Sequence, residues 1–264
     1  MQHLITVAMA LCLVAGGALG ADERTSADAK AGNEGSISEA RPVDARVVRI
    51  KLDGIIDLKV RQGAVAELVL IGERKLVVKT STVQNGDTLV IDTENHRVKF
   101  GGRKLLRAEL TLPRLRELRS DSVGSTEVFG FSGDEIDLVL DGAGALKMVA
   151  DYKAVNASLG GIGSMNIQSG NSERIDLNLH GAGIMTLIGR TRLLKASLGG
   201  LGRLDAEKFQ ADTVELDMSG LGNASVMARQ NAVLNLSGMG SVTVYGKPQH
   251  RSVSIDGLGK VSWK

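Results

Sequence analysis

The sequence predicts an all-β fold wound as a β-solenoid, and three observations carry that prediction. Apolar and polar residues alternate with period 2 beyond residue 43, as in Val48, Ile50 and Leu52 between charged neighbours. A Gly-x-Gly triplet recurs at 142–144, 161–163, 181–183, 200–202, 220–222, 238–240 and 257–259. Counted on the second glycine from a degenerate copy at Gly124, the copies are 20, 19, 20, 19, 20, 18 and 19 residues apart. No stretch of the chain carries a sustained helical period. A unit of this length cannot bury its apolar face alone, but stacked on copies of itself it forms a continuous core.

In chain order, residues 1–20 read as a secretory signal peptide. Leu4 to Leu19 is apolar, Ala18 and Gly20 put small residues at the −3 and −1 sites of cleavage, and Ala21 becomes the first mature residue. The run is shorter than the ~20 residues a spanning helix needs, and no later apolar run reaches that length, so no transmembrane segment is expected in the mature chain. The one cysteine, Cys12, falls inside this segment, so the exported chain has no disulfide and relies on its core. Residues 21–42 are polar and form an expected disordered leader. The domain proper is expected over 43–264, with a less regular β part at 43–119 and the Gly-x-Gly repeats at 120–264. In the first part, alternation appears at 56–60, 68–71, 76–78, 89–91 and 108–112, with a turn at Asn85-Gly86-Asp87.

Within the repeats, apolar residues stand two and four positions before the first glycine, as in Leu138/Leu140 and Leu177/Leu179. They return four and six positions after it, as in Leu146/Met148 and Val242/Val244. The glycines fit a corner that needs positive φ or close approach between neighbouring turns. A phosphate-cradling loop is a poor reading, because no helix follows. The residue between the glycines is apolar in every copy: Ala143, Ile162, Ala182, Leu201, Leu221, Met239 and Leu258. If the glycines turn the chain, these side chains are core, which is the favoured reading. If the strand runs straight, Ile162, Leu201, Leu221, Met239 and Leu258 form an outward ladder and an interaction surface. Ser158, Asn178, Ser197, Asp217, Asn235 and Ser254, three positions before the glycine, are expected to hydrogen-bond from turn to turn.

The closer match lies two units apart. Copies at 161 and 200 read Ala-Ser-Leu-Gly-Gly-Ile/Leu-Gly, whereas those at 142, 181 and 220 carry Asp137, Asp176 and Glu215 five residues before the glycine. That doubling leaves a propeller, with blades of about 40 residues, as an alternative architecture.

Composition narrows the function classes. Glycine is 33 of 264 residues and proline 3, without a Gly-X-Y period, which excludes collagen. The 4 histidines are scattered, and no metal-ligand spacing, cofactor motif or nucleophile motif occurs, so no metal, cofactor or catalytic residue is assigned. Asp137, Asp141, Asp176 and Asp217 offer an alternative: a carboxylate ladder like the acidic clefts of β-helical polysaccharide lyases. Charge is uneven, with residues 41–119 carrying 17 basic and 10 acidic side chains. Arg103, Lys104 and Arg107 mark a candidate patch for an anionic envelope polymer. Nucleic acid is not expected, because no aromatics interleave with the basic residues.

One further pattern is specific. Val48-Arg49-Ile50-Lys51-Leu52-Asp53-Gly54, then Leu58-Lys59-Val60-Arg61-Gln62-Gly63, then Leu110-Thr111-Leu112-Pro113-Arg114-Leu115-Arg116-Glu117-Leu118 lead into the glycine repeats. Over residues 43–264 the chain resembles the bacterial family described as putative auto-transporter adhesin, head GIN domain. The resemblance implies a right-handed parallel β-helix of the pectin-lyase type without catalytic residues, exported, with cell adhesion as the suggested role. It transfers no functional residue. The expected function is therefore a non-enzymatic binding, adhesion or scaffolding module at the cell envelope, periplasmic or on the cell surface. Self-association, an envelope protein or a polysaccharide are the expected partners.

Overall fold

A computed structural model of the protein describes residues 35–93 and 106–264. The expected signal peptide, most of the leader, and Arg103 and Lys104 lie outside the described residues. The repeats form six long strands: β8 (Glu117–Leu140), β9 (Ala143–Leu159), β10 (Ile162–Leu179), β11 (Ala182–Leu198), β12 (Leu201–Met218) and β13 (Leu221–Leu236). Each pairs in parallel with the next, equivalent residue on equivalent residue on either side of a local register shift, so Leu159, Leu179, Leu198, Met218 and Leu236 lie in one column. β14 (Met239–Tyr245), β15 (His250–Ile255) and β16 (Lys260–Trp263) continue the stack on β13 and β14. This is a parallel β-solenoid, as the repeats predicted. The propeller alternative falls, because a blade is an antiparallel meander and these copies stack in parallel.

The part at 43–119 supplies the first turn and its cover. β2 (Arg49–Ile55) and β3 (Asp57–Gln62) pair in parallel with two successive stretches of β8, 117–123 and 126–129. β7 (Arg107–Leu112) lies parallel to β3 and antiparallel to β4 (Glu67–Glu73), while β5 (Ser81–Asn85) and β6 (Thr88–Asp92) form a hairpin on β2. Two expectations are corrected here. Ser36–Arg41, assigned to the disordered leader, is strand β1 and pairs antiparallel with β4, with Ile37 packed on the core. Residues 76–78, read as strand, belong to a helix, α1 (Arg74–Lys79), which buries Val77. A six-residue helix is under two turns long and too short to show a period in sequence.

The core is a set of apolar columns running the length of the stack. Leu138, Leu177 and Leu216 alternate in one column with Ala157 and Ala196, all buried. Full burial of such a leucine contributes roughly 1.5–3 kcal/mol. Tyr152 closes the side nearer the cover, its hydroxyl donating to the Leu115 carbonyl at 2.8 Å, and burial holds its phenol well above its ordinary pKa.

The glycines act by close approach. Apart from Gly124, none in the triplets has the left-handed φ expected of a sharp turn. Instead, a Cβ on Gly163 would collide with the carbonyl oxygen of Gly144 one turn below, and one on Gly181 with that of Gly161. Positions −4, −2, 0, +2, +4 and +6 about the first glycine share one parity, so the glycines are the inward positions of an unbroken alternation. The corner leaves no room inside for a side chain.

Replacing Gly163 by Ala should therefore lower stability by about 1–3 kcal/mol through overpacking. Gly35→Ala, where nothing lies within 4 Å of the added atom, should leave the thermal midpoint unchanged within error. Thermal unfolding of the two variants checks both expectations.

Candidate interaction surface

The parity that turns the glycines inward turns the residue between them outward. Ile162, Leu201, Leu221, Met239 and Leu258 are 70%, 58%, 46%, 54% and 81% exposed. The core reading favoured from the sequence is thus overturned for all five, because the backbone passes the corner without breaking its alternation. Hydrogen-bonded register puts Val123, Ala143, Ile162, Ala182, Leu201, Leu221 and Met239 in one column. Leu258 follows, two residues before the pair Ser241–Lys260. From Leu201 to Leu258 the column is four large apolar side chains on successive turns, about 4.8 Å apart. On both sides run the glycine columns, which bear no side chains. Beyond them stand Ser219, Ser237 and Asp256 on one flank, and Arg203, Asn223 and Lys260 on the other.

The column five residues before the glycine explains the two-unit doubling. It reads Asp137, Asn156, Asp176, Lys195 and Glu215 from turn to turn. Asn156 Nδ2 donates to Asp137 at 2.7 Å and to Glu135 at 2.9 Å, and Lys195 pairs with Glu215 at 2.8 Å. Acids directly stacked would repel, so a neutral or basic residue separates them. Asp134–Lys153 at 2.7 Å and Asp212–Arg229 at 3.2 Å repeat the device at another corner. The Lys153 ammonium holds the Asp134 carboxyl below its usual range.

The same register decides the carboxylate alternative. Asp137 and Asp176 share a column but are separated by Asn156, hence about 9.6 Å apart along the axis at two strand spacings. Asp176 is ion-paired with Arg174, and Asp141 and Asp217 occupy two different columns. Asp217 accepts from Asn235 Nδ2 at 2.8 Å, one link of the expected polar ladder. The four carboxylates are not brought together.

Of the basic patch, only Arg107 falls within the described residues, at the start of β7 opposite Asp57. The structure instead shows a cluster that the sequence reading missed. The Phe129 ring lies between Lys59 and Lys147, at 5.8 and 5.7 Å. It joins three turns, from residues as far apart as 59 and 147, so nothing local announces it. A shallow groove of about 600 Å³ follows on this side, lined by Val149, Asp151, Gln168 and Ile188 among others.

Comparison with known proteins agrees with this architecture. The family model "Putative auto-transporter adhesin, head GIN domain" matches residues 48–184 and 165–248, and the chain belongs to that family. Solved structures with the same fold include a putative adhesin from Parabacteroides distasonis ATCC 8503. It has 18% identity and a TM-score of 0.78, over 87% of this chain and 97% of that one. A putative lipid binding protein from the same organism has 18% identity and a TM-score of 0.77, over 88% and 98%. A putative adhesin from Bacteroides fragilis NCTC 9343 has 20% identity and a TM-score of 0.63, over 87% and 97%. No curated protein matches the chain. Among the described residues, no helix is long and apolar enough to cross a membrane.

The outward ladder is separable from the core. Leu201→Ala should change stability by no more than about 0.5 kcal/mol, whereas Leu216→Ala, in the buried column, should cost about 2–5 kcal/mol. Chemical denaturation of the two variants distinguishes them.

Proposed function

We propose that the protein is an exported, non-enzymatic binding module of the cell envelope, periplasmic or on the cell surface, which meets its partner through the outward apolar ladder. The observation that carries this reading is the exposure of four successive large apolar side chains on a rigid corner. Keeping them in water has no benefit for the fold, whose inward columns are complete without them, and contiguous exposed apolar surface marks interaction sites. Membership of an adhesin family supports a binding role. The lyase-like reading has less support, because the carboxylates it needs are dispersed over three columns.

The test is co-sedimentation of the purified protein with isolated cell envelopes. Wild type should bind, and Leu201→Asp/Leu221→Asp should bind at least about tenfold more weakly, as expected for a loss of roughly 1.4 kcal/mol, with an unchanged melting profile. Binding that survives the double substitution but disappears in high salt would move the function to a basic surface.

A further inference from the structure

We propose that the ladder pairs with the ladder of a second copy of this chain, forming a side-by-side dimer along the solenoid axis. The inference rests on the reading above that the ladder is the interaction surface, and names what occupies it. Three features of the surface converge on a second copy.

Shape is the first. The ladder is a ridge bordered on each side by a shelf of glycine backbone: Gly200, Gly220 and Gly238 on one side, Gly202, Gly222 and Gly240 on the other. A ridge standing between two shelves is self-complementary, since each ridge can rest on the shelf of its counterpart. Spacing is the second. The apolar side chains repeat with the turns, about every 4.8 Å, and a partner that engages all of them needs the same repeat. Another copy of the solenoid has it by construction.

Charge is the third. On the turn of Leu258, Asp256 lies on one flank and Lys260 on the other, and Arg203 stands on the Lys260 flank two residues from Leu201. A two-fold axis parallel to the ladder sets unlike flanks against each other at equal height. Asp256 of one copy then faces Lys260 of the other. An axis across the ladder would set like flanks together.

The size of the surface sets the strength. From Ala143 to Leu258 there are six turn-to-turn steps, about 29 Å. With the bordering glycine and flank columns the strip is five residues across, about 17 Å, roughly 500 Å² per copy. The total of about 1,000 Å² is below the range of stable protein interfaces and within that of transient ones, so the dimer should be weak and reversible, with Kd on the order of 10 μM.

Sedimentation velocity on residues 21–264 tests the proposal. This segment keeps the compact unit Glu34–Lys264 whole and contains no cysteine. Wild type should pass from monomer to dimer through the micromolar range, and Leu201→Asp/Leu221→Asp should remain monomeric at tenfold higher concentration. Leu201→Cys and Leu258→Cys should each oxidise to a disulfide-linked dimer, because a parallel axis brings each ladder residue to its own counterpart. These variants decide the matter if the aspartates prevent folding. A wild type monomeric at all concentrations overturns the proposal, as does a dimer that survives the double substitution. If that monomer still binds envelopes or phospholipid vesicles through Leu201 and Leu221, the dimer is refuted and the binding function stands. If envelope binding also ignores those leucines, both readings fail.

Discussion

Parallel stacking in exact register is the constraint on which the rest of this molecule depends. Outside the local register shifts, each residue of the repeats lies about 4.8 Å from its equivalent on the turns above and below, so whatever stands at one position meets its own kind twice. Identical apolar residues gain from this, and the inward columns of leucine and methionine are the result. Identical charges repel, and in the repeats the column Asp137, Asn156, Asp176, Lys195 and Glu215 keeps its acids apart, whereas Asp92, Asp53 and Asp121 stand in direct register beside the first turn. Bulk follows the same rule: the Asp141 carboxylate lies against Gly160, and His180 against Gly199. The doubling of the repeat is thus the signature of neighbours that must differ.

The glycine corner is the same constraint at its tightest. There the inward positions face the carbonyl of the turn below so closely that no Cβ fits. Because the backbone keeps its alternation through the corner, the residue between the glycines has no choice but to face solvent. An apolar residue in that place makes no contribution to the core, yet one stands there in every copy. The corner therefore presents side chains on a base of backbone bonded turn to turn, with no neighbouring side chains to cover them. Rigidity of that kind reduces the entropy lost on binding.

Much of this was legible in the sequence. The spacing of the second glycines fixed the number of residues per turn, and the apolar pairs on either side of the triplet named the inward columns. The orientation of Ile162 and Leu201 was legible too, by counting parity from Leu159 through Gly161 and Gly163 to Met165. Supposing that glycines must turn the chain hid it; φ at these positions is not left-handed. Other features were beyond reach for physical reasons. α1 is too short to have a period. β1 is stabilised by β4, some thirty residues away in sequence, and nothing in its own composition distinguishes it from the leader. The Phe129 cluster depends on contacts between turns, which no single turn encodes, whereas the dispersal of the four aspartates follows from their offsets of five, one and three residues before the glycine.

The most direct test of the stacking account is a ruler laid along the ladder. Pairs of spin labels at Leu258 and at Met239, Leu201, Ile162 or Val123 should give separations that rise linearly, by about 4.8 Å for each intervening turn. The longest, over seven steps, should be about 34 Å. Separations that level off or reverse along the series would show that equivalent positions do not stack in one column, and the account of the glycines, the alternating charges and the ladder would fall with them.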